Sequence, residues 1–502
     1  MNKILKFNFA LLAGLALTTQ SCYEDKGNYD YRELTALSID TLNSGIKPEM
    51  IAYQLENFKM PVNVKYAGDK NKLEYEWKLF PQDPQKPDDV VNFDDPVILS
   101  TQEVLDTTIY EVPGKYYLVY TVTDPTHDVK EYLRIKLSIE SALSRGLCVL
   151  DEKAGNYDLH MIKTATLLSD ITPEQEKTVK NIFSNVNDRI ETSGRFIHQF
   201  TPGWGSKVFY FFTETGGYTL DPNTFEITSD DYKSLFSFPM AIESNPQAYM
   251  VTSNPAEIIV NNGLIHAFDH VMMGASCFGD RLEGDYYAAP FLPKLTSDNF
   301  ATVIYDTKNA RFAPIDRWIS GVGSFVDTEG AEFNLNNIGR NMEIKFMQNG
   351  YNEYTYAIFK NIDNSNYFLY VTDFSGENEM PIKKYDMSGC PELRDNSIYT
   401  FGTRGNVCFY TSGSNLYQYK YASKNAAEVV HQFGSETITT IEVFEQEGHE
   451  LDGKLLMIST VTASGEGKVY LLPFDELNGT LNTLDMNVYT GFNKIVDVYF
   501  KE

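Results

Sequence analysis

Alternation of apolar and polar residues dominates the chain, and it predicts strands almost throughout. Leu73, Tyr75, Trp77 and Leu79 fall on one face of LEYEWKLF, the period of a half-buried strand. Pro113-Gly114 then turns into KYYLVYTVTD, and Tyr132–Ile139 reads as a strand pairing back on it. From Ser144 onward one unit recurs: an apolar strand, a polar turn often carrying Gly or Asn, and a second alternating strand. It begins at Gly146, Lys207, Ala248, Ala301, Tyr354, Asn406 and Lys454, a spacing of roughly 40–60 residues that suits propeller blades. Glu436–Phe444 reads as the innermost strand of the last unit. The terminal run Asn493–Phe500 has the same alternation with no unit after it, so it is expected to supply the inner strand of the unit at Gly146 and close the ring, which removes an exposed edge. Seven blades are favoured, with six or eight as neighbouring counts and two stacked sandwiches as the other arrangement. One helix is expected: Thr172-Pro173-Glu174-Gln175 offers a cap, and Val179, Ile182, Phe183 and Val186 follow at helical spacing.

The first residues have a different pattern. Lys3 and Lys6 precede an apolar run, Phe7–Leu17, that is too short to span a bilayer, and Thr18-Thr19-Gln20-Ser21 leads to Cys22. This is the layout of a secretory signal with a lipid-attachment cysteine, although Thr19 stands where Leu is commoner. Acylation at Cys22 would anchor the chain at about 0.8 kcal/mol per buried CH₂. The segment Cys22-Tyr-Glu-Asp-Lys-Gly-Asn-Tyr-Asp-Tyr31 resembles the start of a Bacteroidetes family of surface lipoproteins with a PKD-like domain. The resemblance extends over roughly the first 140 residues. It implies that Glu24 and Asp25 form a surface-export signal. It further implies a SusC-like TonB-dependent transporter and a SusD-like lipoprotein as partners, with this chain as their accessory at the outer-membrane surface. The expected layout is a signal peptide over 1–21, a lipidated tether over 22–30, an immunoglobulin-like or PKD-like sandwich over 31–143 and a propeller over 144–502. In such a sandwich Trp77 is core filler.

Composition narrows the function. In 502 residues, 42 basic and 69 acidic side chains give a formal charge of −27, which repels phosphate backbones and argues against nucleic-acid binding. The hydrophobic share of 42% supplies ample core and excludes global disorder. Cysteines 148, 277, 390 and 408 are scattered without a C-x-x-C spacing, so no zinc ribbon or redox motif is expected. His266 and His270 flank Asp269, but on a strand four residues span about 13 Å, too far for both rings to hold one metal. No nucleophile elbow, phosphate loop or dinucleotide fingerprint occurs. Among the acids, Asp280, Glu283, Asp285, Asp316 and Asp327 are the carboxylates to consider for glycoside hydrolysis, and each reads more simply as solvated charge. The expectation is no catalytic residue, no metal and no cofactor.

Binding is the better expectation. Trp204 sits among Gly, Pro and Ser between two strands, and Tyr286-Tyr287 and Arg317-Trp318 occupy comparable segments between units; aromatic faces at such loops can stack on a sugar or a partner. The function expected is non-enzymatic capture of an oligopeptide or glycan, or organisation of the importer. Alternatives are a surface glycoside hydrolase or lyase of propeller fold and a purely structural subunit. Converging carboxylates with raised pKa in a central funnel would mark the enzyme, exposed aromatics around a cleft the binder.

Overall fold

The computed structural model describes residues 36–41, 46–54, 56–82, 96–201, 207–253, 256–270, 277–327, 330–375, 380–423 and 426–502. Cys22, Glu24, Asp25 and Trp204 lie outside them. The chain divides into two compact units, the first ending at Glu140 and the second running Ser141–Glu502.

The first unit is a β-sandwich. Its larger sheet orders Glu49–Tyr53, Val129–Glu140, Gly114–Asp124, Glu74–Pro81 and Val97–Ser100, with the first pair parallel and the rest antiparallel. Two short ladders, Leu37–Ile39 with Val64–Tyr66 and Asn57–Met60 with Leu105–Thr108, contribute to the same core. Trp77 is fully buried there. Its ring stacks on Tyr120 at 4.1 Å between centroids, and its indole N–H donates to the Gln102 carbonyl at 3.1 Å. An aromatic side chain so placed supplies most of its worth as buried area, so Trp77 is core filler, as its alternation implied.

The second unit is a propeller of seven sheets. From inside outward, blade 1 runs Lys494–Lys501, Gly146–Lys153, Asn156–Lys163, Lys177–Val179; blade 2, Phe196–Phe200, Val208–Thr213, Gly216–Leu220, Ile227–Ser229; and blade 3, Pro246–Val251, Ala256–Asn261, Leu264–Asp269. Blade 4 has two regular strands, Phe300–Asp306 and Arg311–Asp316. Ala288-Ala289 bonds to the first of these and Val322-Gly323 to the second, in the inner and outer positions. Blade 5 runs Met342–Asn349, Thr355–Asn361, Tyr367–Asp373, Met380–Asp386; blade 6, Tyr399–Phe401, Cys408–Ser412, Asn415–Tyr419, Glu428–Gln432; and blade 7, Thr437–Val443, Leu455–Val461, Gly467–Pro473, Asn487–Phe492.

The period of two explains why these sheets stack face to face. In each second strand successive side chains enter different neighbouring interfaces. Leu147 and Val149 pack towards blade 7, whereas Cys148 and Leu150 pack towards blade 2. Tyr210 and Phe212 face blade 3, and Phe209 and Phe211 face blade 1. The rule holds for Ile259 against Ile258 and Val260, Ile304 against Val303 and Tyr305, and Tyr356 and Ile358 against Ala357 and Phe359. It holds again for Phe409 against Cys408 and Tyr410, and for Leu456 and Ile458 against Leu455 and Met457. A strand buried on both faces needs a continuous apolar run, which is why these second strands were legible in the sequence. Seven apolar interfaces result, one between each pair of neighbouring blades.

Closure is by the last strand. Lys494–Lys501 pairs antiparallel with Gly146–Lys153, from Gly146 opposite Lys501 to Glu152 opposite Lys494, with a bulge between Leu150 and Asp151. Asp151 anchors its start, accepting from Asn493 N at 2.7 Å and from its Nδ2 at 2.9 Å. His160, hydrogen-bonded at Nδ1 by the Asn181 N–H, sets Nε2 2.9 Å from the other Asp151 oxygen. Burial opposes the Asp151 charge, but contacts to His160 and Asn493 prevail and hold its carboxyl below the usual range.

Two readings are corrected. The helix expected after Thr172 is not continuous. The capping box forms, but Pro173–Gln175 is a single 3-10 turn, Lys177–Val179 is the outer strand of blade 1, and the helix covers only Ile182–Asn187. Pairing of Met161–Lys163 with Lys177–Val179 overrides local helical spacing, because an unpaired edge on blade 1 costs backbone hydrogen bonds. The unit read from Ala248 is the first and second strands of blade 3, whereas the other six units are second and third strands.

Candidate functional site

The inner strands of six blades, with the segment Pro290–Leu292 of blade 4, line a central cavity of about 810 Å³. Its wall includes His198, Tyr249, Phe291, Phe346, Thr400, Glu442 and Asp497, one from each blade. The arrangement follows from the strands: Ile441 and Val443 turn into the apolar interface with blade 6, so Thr440 and Glu442 between them line the lumen.

Side chains pin the wall. Asp497 accepts from the Ile197 N–H at 2.8 Å, tying blade 1 to blade 2. Arg195 donates to Asn245 Oδ1 at 2.9 Å and to the Pro246 carbonyl, tying blade 2 to blade 3. The Gln348 amide oxygen accepts from Phe401 N at 3.2 Å, and Thr400 Oγ1 accepts from Val443 N at 3.2 Å, joining blades 5, 6 and 7. His198 is held between the rings of Tyr249 and Tyr499, at 4.8 and 4.6 Å between centroids. Behind Tyr249, whose hydroxyl donates to it at 2.6 Å, lies the buried carboxylate Glu257, which also contacts His270 Nε2 at 2.6 Å.

Three carboxyls define the electrostatics. Glu442 is raised by burial first, then by Asp497 and Glu445. Asp497 is raised by burial against the N–H groups of Ile197 and Val498. Glu445, near the end of the same inner segment, is pushed up to about 7 by burial and by Asp452, with Lys294 and Gln348 opposing. Glu442 and Glu445 are nevertheless solvent-exposed: they line the central cavity rather than dry core, and neighbouring like charges favour proton retention there. Burial, with Lys294 adding to it, pulls His198 down to about 4 despite the Gln199 carbonyl, so its ring is neutral near pH 7. Such a lumen offers carboxyl, hydroxyl and aromatic groups to a polar ligand, and it is the feature that an acid-catalysed hydrolase also requires.

The residues singled out in the sequence lie elsewhere. Tyr286 is buried, with its hydroxyl accepting from Ile265 N and donating to the Leu282 carbonyl, both at 3.1 Å; it is a core residue and presents no face for stacking. Tyr287 is partly exposed beside Gly263, and its carbonyl accepts from Thr307 N. Trp318 is 78% exposed, with the Arg317 guanidinium 5.6 Å from its ring centre. Thr307 and Arg317 mark opposite ends of the blade 4 hairpin, so these aromatics do not form one site. Asp316 caps the turn at Trp318 and Ser320, Asp285 pairs with Lys308, Asp280 accepts from Arg281 N, and Asp327 accepts from Asn336. His266 contacts the Gly279 carbonyl and His270 contacts Glu257. None of these acids or histidines lines the lumen. The lumen acids Glu442, Glu445 and Asp497 were missed. Their signal was present as acidic residues in or just after runs already assigned to inner strands.

Fold and lumen together define a β-sandwich followed by a seven-bladed propeller with a central cavity of mixed polar and apolar lining. Residues 22–191, roughly a third of the chain, match the PKD-like family. The match covers the sandwich and continues through the outer strand of blade 1 and the helix Ile182–Asn187. No curated protein matches the chain. Among solved structures, a quinonprotein alcohol dehydrogenase-like protein from Bacteroides thetaiotaomicron is similar at 10% identity and a TM-score of 0.41, over 94% of this chain and 100% of that one. The extracellular domain of a putative one-component system from the same organism is similar at 12% identity and a TM-score of 0.35, over 62% of this chain and 37% of that one. Apo AztD from Citrobacter koseri is similar at 11% identity and a TM-score of 0.35, over 84% and 99%. These likenesses are too distant to transfer a ligand or an activity. Among the described residues no helix is long and apolar enough to cross a membrane.

Proposed function

We propose that this protein is a lipid-anchored, surface-exposed accessory subunit of a SusC/SusD-type nutrient importer. It binds a small polar nutrient, an oligopeptide or a glycan, reversibly in the propeller channel. The observation that supports ligand capture is the channel itself, in which aromatic faces such as Tyr249 and Tyr499 stand beside carboxyls and threonine hydroxyls. Aromatic faces with nearby polar groups suit sugar rings and peptide side chains alike. The Cys22 layout and the acidic residues after it support the anchor and the surface location, and the PKD-like match supports the family context of the first third of the chain.

A second reading is favoured by one observation. The raised carboxyls of Glu442, Glu445 and Asp497 are the convergent acids expected of a propeller glycosidase. One purification separates these readings. The tagged full chain is extracted in mild detergent, its co-eluting proteins are identified, and the preparation is incubated with mixed oligosaccharides and tetrapeptides. Recovery of a SusC-like barrel and a SusD-like lid, with sugars or peptides retained intact, is the expected result. Elution alone overturns the importer subunit, and cleavage of any glycan that is lost in Glu442→Gln moves the assignment to the hydrolase.

A further inference from the structure

Charge is unevenly spread over the wall of the central cavity. Three carboxyls line it, Glu442, Glu445 and Asp497, against one cation among the described residues, Lys294. His198 adds no charge near pH 7, because burial holds its ring down to about 4. Lys294 acts on Glu445, where it favours the ionised form. Glu442 and Asp497 have no such relief. The charges acting on Glu442 are the like charges of Asp497 and Glu445, and Asp497 is eased by backbone N–H groups, those of Ile197 and Val498. Two carboxyls so placed are costly as anions. Proton retention is one remedy, and the raised carboxyls show it; a cation held between them is the other.

Both carboxyls can be reached from the cavity. Glu442 is exposed at its wall and Asp497 half-buried there. Glu442 makes no hydrogen bond or ion pair among the described residues. Asp497 is fixed by the Ile197 N–H at 2.8 Å on its Oδ2, and a carboxylate has lone pairs for further donors. Tyr499 falls two residues after Asp497 on the same side of the last strand and also lines the cavity, so an aromatic ring stands beside the acids, and such rings attract cations.

We propose that the ligand taken by this cavity carries a primary ammonium group, as at the N-terminus of a short peptide or on an amino sugar, and that Glu442 and Asp497 seat it. The assignment rests on the cavity being the site of capture. An ammonium group has three N–H donors to share between the two carboxyls, and hydrogen bonds between ionised partners are the strong ones. A neutral glycan of the same size leaves the two acids to repel each other.

The test is titration calorimetry on the full chain at pH 6.5 with two pairs of probes. Tetra-alaninamide is set against its N-acetyl form, and chitobiose, the glucosamine disaccharide, against N,N′-diacetylchitobiose. Acetylation removes the ammonium charge in each pair. At least one amine is expected to bind about tenfold or more tighter than its acetylated form, the usual worth of a charge-assisted contact, and the pair that does so tells peptide from amino sugar. Glu442→Gln is expected to cut that preference to about threefold or less and to melt no lower than the parent, since it removes like-charge repulsion at an exposed position. Asp497→Asn, which keeps an acceptor for the Ile197 N–H, is expected to cut it likewise. Equal binding of amine and acetylated form in both pairs, or a preference undiminished in both variants, overturns the ammonium seat and leaves capture in the channel standing. No heat from any probe up to about 10 mM overturns the seat and counts against channel capture as well.

Discussion

Ring closure by the last strand can be tested with a single deletion of side-chain volume. Ile495 is fully buried between blades 1 and 7, among Leu147, Val149, Leu455 and Phe492. Ile495→Ala removes three carbon groups, about 2.4 kcal/mol of transfer free energy at about 0.8 kcal/mol each. The cavity left in a two-sided interface raises this to about 3–4 kcal/mol, within the range for buried Ile to Ala. The matched control is Val488→Ala on the outermost strand of blade 7, where Val488 is 42% exposed; surface substitutions of this kind cost about 0.5 kcal/mol or less. Urea unfolding followed by circular dichroism is dominated by the larger propeller, and in a Trp204→Phe, Trp318→Phe background fluorescence of buried Trp77 provides the sandwich as an internal reference. With an m-value of about 3 kcal/mol/M or more for a unit of this size, the Ile495→Ala midpoint is expected to fall by about 1 M, with the slope and the sandwich transition unchanged. If Ile495→Ala shifts the midpoint no more than Val488→Ala does, the last strand is not integral to the ring and the closure argument fails.

Two further outcomes follow from the same packing and electrostatics. Trp77→Ala removes the stack on Tyr120 and the bond to Gln102 and should cost the sandwich about 3–5 kcal/mol; calorimetry should show its transition lowered and the propeller transition in place, and coupled loss of both would contradict two independently folded units. The lumen carboxyls hold protons in the folded state that the unfolded chain releases above about pH 4, so their contribution disfavours folding progressively as pH rises from there through about 7, the value for Glu445. The propeller should therefore melt lower at pH 8 than at pH 5, and the combined Glu442→Gln, Glu445→Gln, Asp497→Asn variant should show a smaller difference; an identical difference would place the pH dependence elsewhere.

Much of this protein was determined by local sequence. Every second strand of a blade is buried on both faces, so its apolar run was continuous and could be read without knowing its neighbours, and the unpaired alternation at Asn493–Phe500 already called for a partner at Gly146. Trp77 was legible for the same reason, since the period of its strand fixed which way it faced. Tertiary structure decided what period cannot express. The segment 177–179 became a strand because blade 1 offered an edge, against its helical spacing. Tyr286 and Trp318 look equivalent in sequence, yet one is sealed in the core and the other stands in solvent, because burial of a loop aromatic depends on chain brought from elsewhere. The channel depended on tertiary structure most of all. Glu442 and Asp497 are 55 residues apart in a chain of 502 and influence each other only because the last strand returns beside the first sheet, and no local pattern carries the free energy of two carboxyls brought to the wall of one cavity.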